Sequence, residues 1–371
     1  THSYYKDIHY VNVHLVTRKS RFWTSLRYFL QRNVERPSSL NSLLGTYGYN
    51  GELEPKVPQE ETLLFKEILD LTQVDPKLAL QTLEPQVNSN SSAPLYFFLA
   101  MLQVQQDLLD ESIANLKISV DKWPNFLRAN QRLGVFLATS GKFEEAIPYL
   151  TKTIELGGPD SMTYGLLGLC FLNLEHYISA EAAYSQAFVF DPEKEDWKRG
   201  LTQSLMSQQK YTEAIALIEE MLMANPEDDK LLAIQANAYI GQNRYSKAGA
   251  NYEIIDRIGK STAETSLRLG DLYMEENVPS LALKAYLGAL DKESEINIRA
   301  AIRTAKILAD RGALDESATY IAKVNQLVKD NLEDDDKLAL LKLESRIAIG
   351  KGNQDKALGI LEQIVERDPL D

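Results

Sequence analysis

This chain is short of the residues that most often announce chemistry. It has one cysteine and four histidines in 371 residues, so no intrachain disulfide framework can form. Nowhere do 18 apolar residues run together, which leaves no segment of the usual length for spanning a bilayer. The glycine-rich stretch at 45–51 lacks a following Gly-Lys-Ser/Thr, so it reads as a turn and not as a phosphate loop. His176 has no serine or cysteine nucleophile motif around it. His2, His9 and His14 are spaced by seven and five residues, which is not the spacing of a helical metal pair. No catalytic signature, cofactor motif or metal-ligand set emerges, and the expectation is a protein that is not an enzyme. The lone Cys170 lies between Leu169 and Phe171 and reads as a small core hydrophobe. The first residue is Thr1 rather than methionine, as in a processed or trimmed chain.

What is present is ordinary in amount and uneven in distribution. Apolar residues make up 44% and charged residues 25%, a soluble globular composition. The net charge is −13. Residues 1–50 carry Lys6, Arg18, Lys19, Arg21, Arg27, Arg32 and Arg36 against only Asp7 and Glu35, a net of +5 that leaves −18 on the remainder. An acidic body with a basic, aromatic arm implies two parts with different roles.

The body repeats. A small residue recurs every 34 positions at Ala100, Gly134, Gly168, Thr202, Ala236 and Gly270. A second series follows twelve residues behind at Ser112, Ala146, Ala180, Ala214, Ala248 and Ala282, and Pro124, Pro159, Pro192 and Pro226 keep the same frame. A fixed period of this length marks stacked units, each too small to bury its own apolar face. In the unit 127–160, Leu133, Val135, Phe136 and Leu137, then Phe143, Ile147, Leu150 and Ile154, give two stretches of helical period. Thr139-Ser140-Gly141-Lys142 supplies the turn, with Gly141 free to become left-handed. Gly134 and Ala146 are small where the two helices approach, and Pro159 ends the second helix.

Leu133-Gly134, Ala146 and Pro159, then Tyr164, Leu167-Gly168, Phe171, Ala180, Tyr184, Ala187 and Pro192, then Leu269-Gly270, Tyr273, Ala282, Tyr286 and Ala289, together resemble the tetratricopeptide repeat. Eight units start near Ala93, Leu127, Ser161, Glu195, Asp229, Ala263, Ile298 and Leu338. The fourth departs with Trp197 and Thr202, and the seventh with Ala305 and Ser317. The acidic run 329–336 lacks the glycine and ligand spacing of a calcium loop and reads as a linker and helix cap. The resemblance implies an all-α, right-handed superhelical solenoid of helical hairpins over 93–371. A degenerate capping hairpin precedes it over 51–92, and residues 1–50 form an irregular arm.

The resemblance also implies that the first helix of each unit lines a concave groove. The positions expected to meet a partner are Phe97, Phe98, Met101, Arg128, Gln131, Arg132, Arg199, Gln203, Asn237, Arg268, Asp271, Arg299, Arg303 and Lys306. Arginines would hold carboxylates and amides would pair with a peptide backbone, making the partner a protein or an acidic peptide. Alternatively these are the solvated faces of amphipathic helices. Chaperone-tail receptors and asparagine-ladder glycosyltransferases of this family carry side-chain sets that this chain lacks.

In the arm, His9 to Thr17 alternates like a short strand, and Phe22 to Leu30 reads as a helix. Arg21, Phe22, Trp23, Arg27 and Phe29 could lie on an anionic membrane surface, dock a partner or a second copy, or fold back onto the first hairpin. A body of −18 disfavours nucleic acid. The functional expectation is a non-enzymatic scaffold or adaptor, with plain, charge-rich repeats pointing to a soluble protein of the bacterial cytoplasm or cell envelope. The alternative is a recruiting part of a larger enzyme or of a secretion or assembly machine. The ending 367–371 resembles a joint into a further repeat.

Overall fold

The structure, a computed structural model, describes residues 54–294, 296–328 and 333–367. The described residues form eighteen α-helices and one short 3-10 turn. They divide into two compact units, one ending at Ser204 and one starting at Leu205. The arm, including Arg21, Phe22, Trp23, Arg27 and Phe29, lies outside the described residues.

In the first unit a non-helical lead-in, 54–58, enters α1 (Gln59–Val74) and α2 (Pro76–Leu83). Three hairpins follow: α3 (Ala93–Gln105) with α4 (Leu109–Lys122), α5 (Leu127–Thr139) with α6 (Phe143–Glu155), and α7 (Ser161–Asn173) with α8 (Tyr177–Phe190). Helix α9 (Glu195–Ser207) contains the division between units. In the second unit α10 (Tyr211–Ala224) precedes α11 (Asp229–Gly241) with α12 (Tyr245–Arg257), and α13 (Ala263–Glu275) with α14 (Pro279–Leu290). It ends with α15 (Ile298–Asp310) and α16 (Leu314–Val328), then α17 (Asp334–Gly350) and α18 (Gln354–Arg367). The last first helix starts at Asp334, four residues before the Leu338 expected from the repeat frame. The acids Asp334, Asp335 and Asp336 form its first turn, where they favour the helix dipole.

Two local devices recur. First helices carry side-chain N-caps: Ser92 accepts from the Leu95 amide, Asp160 from Thr163, Asp228 from Leu231, and Asn297 from Ala300. Second helices start instead from a tight turn containing one left-handed residue. That residue is Asp107, Gly141, Glu175, Gln209, Asn243 or Asn277, all with φ between 57° and 77° and spaced 34 apart. Where glycine is absent, the conformation is strained.

The core explains the small-residue ladder. In the hairpins whose small position is glycine, the space a Cβ would need is filled by a large side chain. Leu150 lies 2.7 Å from the Cβ position of Gly134, and a Tyr286 ring carbon lies 2.3 Å from that of Gly270. Tyr184 is held on both sides, 2.7 Å from the Cβ position of Gly168 and 2.3 Å from that of Gly200. Trp197, which departs from the repeat pattern, fills the space over Gly165 and lies tilted against Tyr184, with ring centres 6.4 Å apart. Burying a large side chain contributes about 1.5–3 kcal/mol, more than the roughly 1 kcal/mol that glycine costs a helix.

Two outcomes test this account by chemical denaturation. Glu175→Gly should raise stability by up to about 1 kcal/mol, because relief of the left-handed strain exceeds the added chain entropy. Gly200→Ala should lower it by about 1–3 kcal/mol despite alanine's better helix propensity, since Gly168 stops the Tyr184 ring from retreating; adding Tyr184→Leu should recover part of the loss.

Candidate functional site

The first helices of the first unit place their expected contact residues unequally. Helix α3 is apolar on every side because the α1–α2 hairpin packs against one flank and the next hairpin against the other. Phe97 is 3% exposed and lies against Phe126 with ring centres 5.0 Å apart. Phe98 is stacked on Phe65 at 5.4 Å, and Met101 is half-buried against the same core. The expectation that Phe97 and Phe98 meet a partner is therefore corrected: both are withdrawn into the packing.

Helix α5 is different. Arg128, Gln131 and Arg132 lie at helical spacing on one side of it and are all half-buried. Arg128 forks the Glu54 carboxylate, its Nε 3.0 Å from Oε1 and its Nη2 2.9 Å from Oε2. Gln131 donates to Asp160 Oδ2 at 3.1 Å, while Asp160 Oδ1 caps α7. Arg132 has no carboxylate within ion-pair distance among the described residues. Burial, and then the neighbouring Arg128 charge, hold its guanidinium below its ordinary pKa, with Asp160 a partial offset. This cluster can grip carboxylates.

Elsewhere the chain's own groups answer most of the expected contacts. Arg199 pairs with Glu195 at 2.6 Å, and Gln203 is half-buried. In the second unit, Tyr252 Oη lies 3.5 Å from Asn237 Oδ1. Arg268 pairs with Glu264 at 3.1 Å. Arg299 lies 3.8 Å from Asp336 and 4.0 Å from Glu333, acids from the run read as a linker. Arg303 and Lys306 are exposed. Asp271 accepts a hydrogen bond from Tyr286 Oη at 2.7 Å. It keeps one edge open to water, yet the protein crowded around it raises its pKa, outweighing the Tyr286 bond and the Arg268 charge.

Residues 199–260 and, separately, 127–156 match family models described as the tetratricopeptide repeat. These stretches are tetratricopeptide repeats. Intraflagellar transport protein 70A of Xenopus tropicalis is 24% identical over 154 residues, covering 42% of this chain and 23% of that protein. Its Danio rerio counterpart is 24% identical over 152 residues, covering 41% and 23%. This repeat chain thus spans about a quarter of the length of the curated relatives it matches. Among solved structures, the C-terminal part of a repeat-containing protein from Cytophaga hutchinsonii superposes with a TM-score of 0.51 at 15% identity. That superposition covers 65% of this chain and 96% of the other, a likeness of fold alone.

Sequence reasoning missed Glu54 and Asp160. Asp160 carried a signal, an acid just before a helix start, but its pairing with Gln131 spans a whole repeat. Glu54 carried none, since it precedes the repeat frame. Other features stay inert: among the described residues no group of three or more histidine, cysteine, aspartate or glutamate side chains could hold a metal. No helix there is long and apolar enough to cross a membrane. Burial pushes the Cys170 thiol up to about 12, far from reactive.

Asp271 gives a pH test. Because its folded pKa is raised, the ionised form penalises the folded state at neutral pH, and the penalty fades as pH falls toward the ordinary carboxylate range. Asp271→Asn should therefore unfold at higher denaturant than the parent at pH 7. Repeating the titration at stepwise lower pH should shrink that difference.

Proposed function

We propose that this chain is a non-enzymatic scaffold that binds a segment of another protein along the grooved faces its first helices present within each unit. One observation carries the reading. The non-helical lead-in 54–58 reaches this face at Glu54, whose carboxylate Arg128 grips at two points. A face whose arginine grips a carboxylate of its own chain has the donors to grip another's. Tetratricopeptide repeats are typically interaction modules, and the repeat matches support that class. A recruiting part within a larger assembly is the second reading. It is favoured by the match to a quarter of a protein named for intraflagellar transport, and it uses the same groove.

The test compares faces. A photoreactive benzoylphenylalanine would replace Gln131 or Asn237 on first helices, and Glu144 or Glu213 on second helices, in the full chain exposed to extract from its source cells. Discrete crosslinked partners should form from the first pair of positions and not from the second. Equal yields from both faces would remove the groove reading.

A further inference from the structure

The outward side of α8 breaks the charge pattern of the second helices before it. In each second helix of the first unit, four residues at 4-3-4 spacing form the line facing away from the core. In α4 they are Asp110, Ala114, Lys117 and Asp121, and in α6 Glu144, Pro148, Thr151 and Glu155. In α8 the same places hold Ile178, Ala182, Ser185 and Val189. The acids at both ends of the line are thus exchanged for β-branched aliphatics. The buried side of α8 lies opposite, at Ala180, Ala183, Tyr184 and Ala187. Glu181, on the flank, is the only charged residue in the helix, which has no lysine or arginine.

Isolated exposed apolar residues are ordinary, but these form a seam. Ile178 is 76% exposed and Val189 70%. Both are poorer helix formers than glutamate, so within one chain the exchange costs local stability and gains little burial. The order along the line is large, small, small, large. A second α8 laid antiparallel across the first would set Ile178 against Val189 of the second copy, and Ala182 against Ser185 of the second copy. Each contact would occur twice, as a two-fold contact requires. The small central pair would let the two backbones approach, and 4-3-4 is the spacing of a helix–helix seam. Charge favours the same occupant. A body of net −18 repels its own kind unless the copies meet where the charge has been removed. An oppositely charged ligand finds little here to pair with, and an anionic membrane finds no basic residue on α8.

We propose that Ile178, Ala182, Ser185 and Val189 form a self-association face, on which a second copy of this chain docks through an antiparallel α8–α8 contact. The face lies on a second helix and uses none of the first-helix residues, so it is independent of the groove reading. A contact centred on one helix pair is at the small end of specific interfaces, and the association is therefore reversible and concentration-dependent.

Sedimentation velocity of the full chain over a wide micromolar concentration series tests this, and should show monomer and dimer in reversible exchange. Ile178→Glu and Val189→Glu each restore an acid of the kind that α4 and α6 carry. Each should weaken dimerisation by about tenfold or more, because the contact would desolvate an unpaired carboxylate. Combining Ile178→Glu with Val189→Lys should recover much of the loss, since the antiparallel register sets each new carboxylate against the other copy's new ammonium. Ala114→Glu, on the corresponding line of α4, should leave dimerisation unchanged. A chain that stays monomeric throughout overturns the proposal, as does a dimer that Ile178→Glu leaves intact, or a double variant no better than Ile178→Glu alone. All these positions are exposed, and circular dichroism verifies that each variant folds. Benzoylphenylalanine at Ala182, crosslinked in extract from the source cells, separates the other occupants. An adduct of twice the chain's mass is expected; a discrete adduct with a different protein, and none with itself, would overturn the second copy as occupant.

Discussion

Among the described residues, the glycine-bearing hairpins depend on a large side chain being allowed to sit where a Cβ would otherwise be. Leu150 over Gly134, Tyr286 over Gly270, and Tyr184 clasped between Gly168 and Gly200 are the same joint repeated. A single hairpin of about 26 residues cannot bury enough apolar surface to hold itself closed. These hairpins admit a large side chain from their own second helix, and Tyr184, shared with the next first helix, extends one hairpin's core into the next. The left-handed turns set the phase of this joint. With one such residue at the same point of each repeat, the second helix always returns at the height that puts its large side chain over the small one.

That joint is also why the fold was legible. Small residues at a fixed interval, with alanines twelve behind, are visible without an alignment because the clash they avoid is steric and local. Helices begin at Ala93, Leu127, Ser161, Glu195, Asp229, Ala263 and Ile298, and the frame drifts only where the acidic run precedes Asp334. The physical reason given for Gly134 was incomplete: the glycine accommodates a side chain, Leu150, as well as a close helix approach. Trp197 looked like a lapse in the pattern, yet it fills the space over Gly165. A larger residue at one position is balanced by a smaller one a repeat earlier, a compensation that no single-position motif records.

The site was legible only in half. Helical spacing located Arg128, Gln131 and Arg132 on one side of α5, because that periodicity is a property of the helix alone. It could not tell which arginines are already satisfied. Arg268 and Arg199 have acids one turn away, at Glu264 and Glu195, a pairing the same periodicity contains and that could have been read from it. Arg299 and Arg128 find theirs across 37 and 74 residues, where local rules are silent. Phe97 and Phe98 failed for a different reason. A helix with neighbours on both flanks has no groove side to offer, and its uniformly apolar sequence carried that signal.

The distinction between answered and unanswered cations bears on how an acidic protein could select a partner. A body of net −18 repels acidic chains at a distance, so a basic cluster on it gains little from long-range attraction and must act at contact range. Exposed pairs such as Lys117–Glu145 contribute little, because water screens them, and leave no charge to spare. A half-buried guanidinium is another matter. Water is already partly removed from Arg132, so a carboxylate reaching it gains more than it would at an exposed arginine such as Arg303. On the proposed reading, selectivity comes from the few places on the first helices where the described residues leave a cation without a carboxylate.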